Sequence, residues 1–292
     1  MDVITKMEQN IQYFNSLEAA RILNVNVSSI KRWTDEGILE CVRTAGGHRK
    51  FTMQHLANYL KTHESKTQKA NLFPIETGED LEISSNILKG NYEFLIDYVA
   101  EQSRLCNRDR VQRVFNGLYM GQHPLHKIYD MLVTPILQRN GDLWVQGEIS
   151  IAEEHFSSHT IHDCLIRLQG TIQIPAEKTG TAFCLIMSNE LHEIAIKMVD
   201  HLLELKGYKV LFSGQMTPSL KIEKIFESYQ PDRVYISSTI VTDINLIQAE
   251  FDKICYIAQA NNADVYVGGR GFDDIDHSHT AVVKRIHSFG DV

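Results

Sequence analysis

The chain has 292 residues, of which 43% are hydrophobic and 23% charged. This composition is typical of globular proteins of two or three domains, so it excludes long disorder and a fibrous fold. No run approaches the roughly 18 apolar residues of a membrane span, and the first residues lack the basic-then-apolar order of a signal peptide. We therefore expect a soluble, cytoplasmic protein.

The five cysteines stand singly and form no Cys-x-x-Cys pair; they are Cys41, Cys106, Cys164, Cys184 and Cys255. This spacing favours neither a disulfide framework nor a thiolate zinc site. Buried, reduced thiols are the simplest interpretation.

The net charge of -8 is divided unevenly. Residues 1–69 carry 10 Lys and Arg against 7 Asp and Glu, whereas residues 70–292 carry 19 against 30. An acidic body repels nucleic acid, so any surface that binds phosphate is expected in the basic first part of the chain.

Residues 13–62 have the pattern of a winged helix-turn-helix. A helix is predicted from Ser16 and a second, short helix ends at Gly37. Two strand-like runs around Ala45-Gly46-Gly47 then predict a hairpin, and a third helix follows over 53–61.

Small hydroxyl and cationic side chains are concentrated on the second helix and the hairpin. Such residues suit contacts to phosphates and base edges, and a hairpin wing that carries arginine can enter a minor groove. The candidate DNA-binding residues are Ser28, Ser29, Lys31, Arg32, Arg43, His48, Arg49 and Lys50. The segments VSSIKRWTDEGIL and RTAGGHRKF resemble the MerR-type DNA-binding domain, which implies DNA binding as a dimer.

Residues 63–85 show no sustained apolar period, and we interpret them as a flexible linker. From 86 to 172 the pattern is helical, with breaks at Asn107, Gly121–Pro124 and Gly141–Gly147, and predicts a four-helix bundle. Its fourth helix begins with a capping-box pattern at Ser150.

Residues 180–292 are predicted to form a doubly wound α/β domain of the flavodoxin-like or Rossmann type. The apolar runs AFCLIM, YKVLF, RVYIS and DVYVGG are separated by segments of helical length. Ligands bind such folds at the carboxyl edge of the sheet. Glu190 and His192 follow the first run, so they are candidate residues at that edge.

The spacing around His192 resembles a cobalamin-binding motif. Glu190-x-His192-x-x-Ala195 is followed by 41 residues, then Ser237-Ser238-Thr239, then 28 residues, then Gly268-Gly269. The family pattern is Asp-x-His-x-x-Gly, Ser-x-Leu and Gly-Gly at such spacing, so this chain has Glu190 for Asp and Ala195 for Gly.

This resemblance implies that the cofactor is cobalamin and that His192 is the lower axial ligand of its cobalt, supported by Glu190. It further implies that the nucleotide tail of the cofactor passes the serine run and the glycines, so Ser237, Thr239, Gly268 and Gly269 are candidate cofactor-binding residues. A degenerate domain that has lost its cofactor is the alternative.

Trp144, followed after nine residues by Glu154-His155, resembles the signature of the CarH/LitR family of B12-dependent photoreceptor repressors. The resemblance implies that Trp144 lies over the upper face of the corrin and that Glu154 and His155 bind the adenosyl group. In adenosylcobalamin photoreceptors a histidine that ligates cobalt after illumination follows this tryptophan, but here the residue is Val145.

The family implies a light-responsive repressor that binds adenosylcobalamin and operator DNA, assembles as a dimer or tetramer, and has no catalytic residue. Three alternatives remain open: a light-independent B12 sensor that binds adenosyl- or methylcobalamin, a corrinoid methyl carrier, and a cofactor-free regulator. The stripe of His155, His159 and His162, four and three residues apart, is a weaker candidate for another metal site.

Overall fold

A computed structural model describes residues 13–23, 25–62, 78–188, 190–215 and 221–292. The chain divides into two compact units, Met1–Ile172 and Gln173–Val292. Within the described ranges, none of the helices combines the length and the apolar character that crossing a membrane would require.

The first unit begins with the predicted winged helix-turn-helix. Its elements are α1 (Ser16–Ile22), α2 (Val27–Asp35), β1 (Val42–Arg43), β2 (Arg49–Lys50) and α3 (Met53–Thr62). The two short strands pair antiparallel to form the wing. Gly47 has φ +77°, a backbone conformation that favours glycine, at the turn of this wing.

The winged helix-turn-helix, called the head from here on, has a small apolar core and a first helix with a defined start. Leu23, Ile30, Phe51 and Leu56 are fully buried. The Asn15 side chain accepts hydrogen bonds from the first backbone N–H groups of α1, while Glu18 accepts from the Asn15 N–H. This reciprocal cap fixes where α1 begins.

The rest of the first unit is helical. Its elements are α4 (Gly78–Lys89), α5 (Tyr92–Arg104), α6 (Arg108–Met120), α7 (Leu125–Ile128), a π-helical turn (Tyr129–Val133), α8 (Thr134–Val145) and α9 (Ile151–Gln169). The π-helical turn joins α7 to α8 without a break. Pro135 lacks the N–H that would bond to the carbonyl of Met131, so the helical hydrogen-bond pattern is interrupted where α8 begins.

Two predicted boundaries in this region are wrong. Residues 78–85, which we assigned to the linker, belong to α4, because Ile83 and Ile87 form a fully buried pair at helical spacing. Gly141 does not end a helix but lies inside α8, which continues to Val145. Residues 63–77 of the predicted linker lie outside the described ranges.

The second unit contains a five-stranded parallel sheet. Its elements are β3 (Gly180–Ile186), α10 (Ile194–Leu205), β4 (Tyr208–Phe212), α11 (Glu223–Tyr229), β5 (Arg233–Ser237), α12 (Ile244–Ala260), β6 (Asp264–Gly268) and β7 (Val282–Ile286). The strand order is β4-β3-β5-β6-β7. Phe183, Val234 and Val267 of the sheet share a buried core with Phe226 of α11 and Phe251 of α12.

This strand order confirms the predicted doubly wound fold and makes it flavodoxin-like. From β3 the chain moves outward to β4 and then returns to the other side of β3 to form β5. The loops that leave β3 and β5 therefore diverge at their carboxyl ends, which opens the crevice where such folds bind ligands.

Candidate functional site

Glu190 joins the two loops that border this crevice. Its side chain is buried, with only 2% of the residue exposed. Oε2 accepts hydrogen bonds from the N–H groups of Thr239 (2.7 Å) and Ile240 (2.9 Å) in the loop after β5. Oε1 accepts from the N–H groups of Leu191 and His192, both at 3.0 Å, in its own loop. One carboxylate thus fixes the backbone on both sides of the crevice.

The same carboxylate also orients the His192 ring. Oε1 of Glu190 contacts Nδ1 of His192, and the imidazole side chain is 55% exposed. Burial alone raises the pKa of Glu190, but hydrogen bonds from the His192 ring and from the N–H groups of Ile240, His192 and Thr239 outweigh it and lower the pKa to about 2. Glu190 is therefore ionised at neutral pH.

An ionised carboxylate can only accept hydrogen bonds, so Nδ1 of His192 is the donor. In a neutral imidazole the other nitrogen, Nε2, then carries the lone pair that a metal ligand needs. A histidine held by a carboxylate through one nitrogen is the usual arrangement of a metal-ligating imidazole. The longer side chain of Glu190, compared with the family's Asp, reaches both the ring and the opposite loop.

The loops after β5 and β6 approach each other very closely. A Cβ on Gly269, which has φ +97°, would lie 2.0 Å from the carbonyl oxygen of Ser238, and one on Gly271 would lie 2.3 Å from its Oγ. A Cβ on Gly268 would make only ordinary van der Waals contacts with Ile286. Glycine at 269 is thus required by the protein's own backbone.

The close approach of the loops after β5 and β6, called the cradle from here on, also encloses the hydroxyl of Ser238. The residue is 1% exposed, and its Oγ has no hydrogen-bond partner within the described part of the chain. Because an unpaired buried hydroxyl is unfavourable, such a group indicates a missing ligand or water. An oriented imidazole, a buried hydroxyl and a glycine-lined approach together fit the lower ligand and the nucleotide tail of a cobalamin.

The other predicted residues of this region lie at the end of β5, in the loop that follows it, and at the start of α10. Ser237 is the last residue of β5 and is buried, and Thr239 contributes its backbone N–H to Glu190. Ala195 lies in the first turn of α10. Alanine is favourable in a helix, so its replacement of the family's glycine causes no backbone strain here.

Glu250 is a residue that the sequence analysis missed. It lies on α12, is 9% exposed, and accepts hydrogen bonds from the N–H (3.0 Å) and the hydroxyl (2.6 Å) of Ser188 at the end of β3. It therefore anchors the start of the loop that Glu190 holds further along. The only sequence signal is an acidic residue among the apolar positions of α12, beside Ile247 and Phe251.

The bundle carries the second set of predicted residues. Trp144 and Val145 end α8 and are 46% and 78% exposed. Glu154 and His155 lie in the first turns of α9, which begins with the predicted capping box of Ser150. Glu154 accepts a hydrogen bond from Ser158 (2.6 Å), while His155 Nε2 lies 3.8 Å from Glu154 Oε2. An exposed indole and two polar side chains are suited to contact a nucleoside.

A buried polar chain connects the helices that carry these residues. Asn140 of α8 is fully buried; its amide donates to Ser157 Oγ of α9 (2.6 Å), and its carbonyl oxygen accepts from Arg104 of α5 (2.8 Å). Ser157 also bonds to Ser103 of α5 (2.6 Å). Asn140 is one turn from Trp144, so these buried hydrogen bonds fix the positions of α8 and α9 at the end that carries Trp144.

The histidine stripe is not part of a cluster of three metal ligands among the described residues. Across the described ranges, no group of three or more His, Cys, Asp or Glu side chains is arranged to hold a metal ion. His155 and His159 are exposed on α9 and His162 is half-buried.

In the head, the predicted DNA-binding residues occupy two adjacent elements. Ser28, Lys31 and Arg32 are exposed on α2, and Ser29 is half-buried there. Arg43 and His48 are exposed on the wing, whereas Arg49 and Lys50 are half-buried. These elements present cations beside hydroxyl groups.

Comparison with known proteins agrees with this division. The MerR HTH family of regulatory proteins matches residues 14–62, and a B12 binding domain matches residues 95–169, which form the bundle from α5 to α9. The monomethylamine corrinoid protein of Methanosarcina barkeri shares the fold of the body, with a TM-score of 0.57 at 11% identity over 68% of this chain and 95% of that one. The head and body together define a B12-binding transcriptional regulator.

The HTH-type transcriptional repressor CarH of Myxococcus xanthus matches this chain over 282 residues with 23% identity. The match covers 92% of this chain and 91% of the relative. The chain is therefore similar to CarH over nearly its whole length, and it combines a match to the MerR HTH family with a match to a B12 binding domain.

Proposed function

We propose that this protein is a light-responsive transcriptional repressor that binds adenosylcobalamin and operator DNA. The observation that carries the proposal is the Glu190–His192 pair at the carboxyl edge of a flavodoxin-like sheet, because it provides an oriented imidazole for cobalt. The likeness to a repressor supports the role in transcription. A regulator of this kind acts in the cytoplasm.

In this proposal His192 holds cobalt through Nε2, and Glu190 keeps the ring in the required tautomer. Ser238 hydrogen-bonds the nucleotide tail, which passes Gly268 and Gly269. Trp144, Glu154 and His155 would bind the adenosyl group of the cofactor. When bound, the cofactor supplies a cobalt–carbon bond that light cleaves. Val145 has no ligating atom, so residue 145 would not bind cobalt after illumination.

DNA release follows from the number of heads held together. Two heads in one assembly bind DNA far more tightly than either alone, by about 10² or more, because the second contact is intramolecular. We propose that the dark, cofactor-bound protein is a dimer or tetramer and that light separates it. Loss of assembly then lowers the affinity for the operator without any change in the contacts of a single head.

Two other functions have specific support. Val145 favours a light-independent B12 sensor, which binds adenosyl- or methylcobalamin and responds to its concentration. The fold shared with a corrinoid protein favours a methyl carrier, but the MerR-type head has no role in such a protein.

Size-exclusion chromatography with in-line absorption spectra tests the proposal. The full chain is reconstituted with adenosylcobalamin in darkness and analysed before and after green illumination. A coloured oligomer that changes its spectrum and becomes smaller supports the photoreceptor. A bound cofactor without any change in size indicates a B12 sensor, and a colourless peak overturns cobalamin binding.

The ligand role of His192 has a matched control in the same unit. The His192→Ala variant is expected to lose the bound cofactor or the spectrum of a histidine-ligated cobalt. The exposed His287 is replaced by alanine in the control, which should behave like the unmodified protein. Equal spectra for the two variants would contradict the role of His192.

A further inference from the structure

An acidic residue occupies the C-terminal end of α2, the second helix of the winged helix-turn-helix. Asp35 is the last residue of α2, where the helix dipole disfavours a negative charge and favours a positive one. It also lies in the part of the chain that is predicted to approach DNA phosphates. Both effects oppose an aspartate here, and a specific contact offsets them.

The contact is a pair of arginines from the wing. Oδ1 of Asp35 accepts hydrogen bonds from Nη2 of Arg43 (2.8 Å) and from Nη2 of Arg49 (2.6 Å). Arg49 also donates from Nε to Oγ1 of Thr34 (2.7 Å), and Thr34 in turn donates to the Lys31 carbonyl. The wing is thereby attached to the last turn of α2 by three hydrogen bonds.

The two arginines differ in what they leave for DNA. Only 16% of the Arg49 side chain is exposed, and two of its three nitrogens are engaged with α2. The Arg43 side chain is 50% exposed and makes a single contact with Asp35. Arg49 therefore holds the wing against α2, whereas Arg43 is accessible to a phosphate.

We infer that Asp35 is a specificity-determining residue of the head, which fixes the wing through Arg49 and withdraws cationic charge from non-specific phosphate contacts. This inference rests on the proposed DNA-binding function of the head. It revises the candidate set, since Arg49 acts as a positioning residue and Arg43 alternates between Asp35 and DNA.

Two opposite effects follow for the Asp35→Asn variant. The neutral amide keeps an acceptor oxygen but no longer attracts the guanidinium groups by charge. Arg43, and to a smaller extent the less exposed Arg49, then become available to phosphates, so binding to arbitrary DNA becomes tighter and more sensitive to salt. Each added phosphate contact steepens the logarithmic salt dependence by about 0.9, which is a further factor of about 3.5 in affinity between 50 and 200 mM salt. The wing is also held less firmly against α2, because the remaining contacts are a neutral hydrogen bond and the Arg49–Thr34 contact, so the preference for particular sequences decreases.

The neighbouring Glu36 provides a matched control. It is exposed, carries the same charge, and forms no ion pair within the described residues. Glu36→Gln therefore removes one negative charge and leaves the wing contacts intact. Circular dichroism shows whether each variant is folded.

The experiment uses the full chain and two DNA probes. Fluorescence anisotropy with a mixed-sequence 20-bp duplex, at salt concentrations from 50 to 200 mM, measures non-specific affinity. Selection from a randomised 20-bp library, followed by sequencing, measures sequence preference.

We expect Asp35→Asn to steepen the salt dependence by one to two contacts, that is by about 0.9 to 1.8, and to select a less defined sequence than the unmodified protein. Glu36→Gln should retain the selected sequence and change the salt dependence by less than one contact. Equal results for the two variants would show a general charge effect and overturn the inference. If the unmodified chain binds neither probe, the proposed function fails and the inference fails with it.

Discussion

Replacing Glu190 with glutamine keeps the shape of the side chain but removes the charge on which the crevice depends. The carboxylate accepts from four backbone N–H groups and from the His192 ring. A glutamine has one acceptor oxygen and one NH₂ group. The NH₂ group would therefore face either the N–H groups of the opposite loop or the N–H groups around His192, and two donors cannot bond to each other. Buried N–H groups then lose their acceptor.

The size of the effect can be worked from the pKa of Glu190. This pKa is about 2 in the folded protein, against an ordinary value of 4.5. At 1.36 kcal/mol per pKa unit, the ionised carboxylate stabilises the folded α/β unit by about 3 kcal/mol at neutral pH. Because the folded pKa is depressed, this contribution is complete above about pH 4.5 and is lost as the pH falls through about 2.

Urea unfolding followed by circular dichroism at pH 7, 5 and 3 measures the effect. We expect Glu190→Gln to lower the free energy of unfolding by about 3 kcal/mol at pH 7 and pH 5, and by only about half as much at pH 3. Glu177→Gln, which removes the charge of an exposed side chain, is the control and should change stability by less than 0.5 kcal/mol. A cost for Glu190→Gln that is below about 1 kcal/mol, or that is the same at all three pH values, would refute this reasoning.

Three further predictions concern the cradle and the bundle. Gly269→Ala should destabilise the α/β unit by about 3 kcal/mol or more in urea unfolding, because the added Cβ would lie 2.0 Å from a carbonyl oxygen. The control is Gly147→Ala: Gly147 has φ +75° but open space around it, so this substitution should cost about 1 kcal/mol. Ser238→Ala removes a hydroxyl that has no partner among the residues that the structure describes, so thermal unfolding should show unchanged or increased stability. A cobalamin titration should show weaker binding, and unchanged binding would contradict a contact between Ser238 and the cofactor. Asn140→Leu leaves the buried Ser157 hydroxyl without this donor and should cost about 1–3 kcal/mol in urea unfolding of the bundle, and a neutral result would show that the polar chain is dispensable.

The sequence predicted most of the architecture because periodicity and turn residues are local signals. Helical spacing followed by a Gly-Gly turn predicted the head, and four apolar runs with helical intervals predicted the parallel sheet. The linker boundary was wrong because residues 63–85 show no sustained apolar period, and Pro74 and Gly78 within them are residues typical of loops. The burial of Ile83 and Ile87, which shows that α4 belongs to the bundle, depends on contacts with other helices.

Parts of the candidate site were also accessible from the resemblance to the cobalamin-binding motif. The intervals between Glu190, His192 and the later serine and glycine runs indicated that separate loops meet at one edge of the sheet, and the strand order brings them there. The resemblance also implied that Glu190 supports His192, and the two side chains are in contact. It carried no information on Glu250, whose partner Ser188 is 62 residues away.

The sequence by itself determined the order of the elements, the basic head and the residue types at the crevice, because each depends on neighbours along the chain. Only the tertiary structure decided which polar groups are paired. It assigned Glu190 to two loops and directed both wing arginines to Asp35. It also left the buried hydroxyl of Ser238 without a partner among the described residues. Hydrogen bonding and burial depend on distances across the fold, and residues far apart in sequence determine those distances.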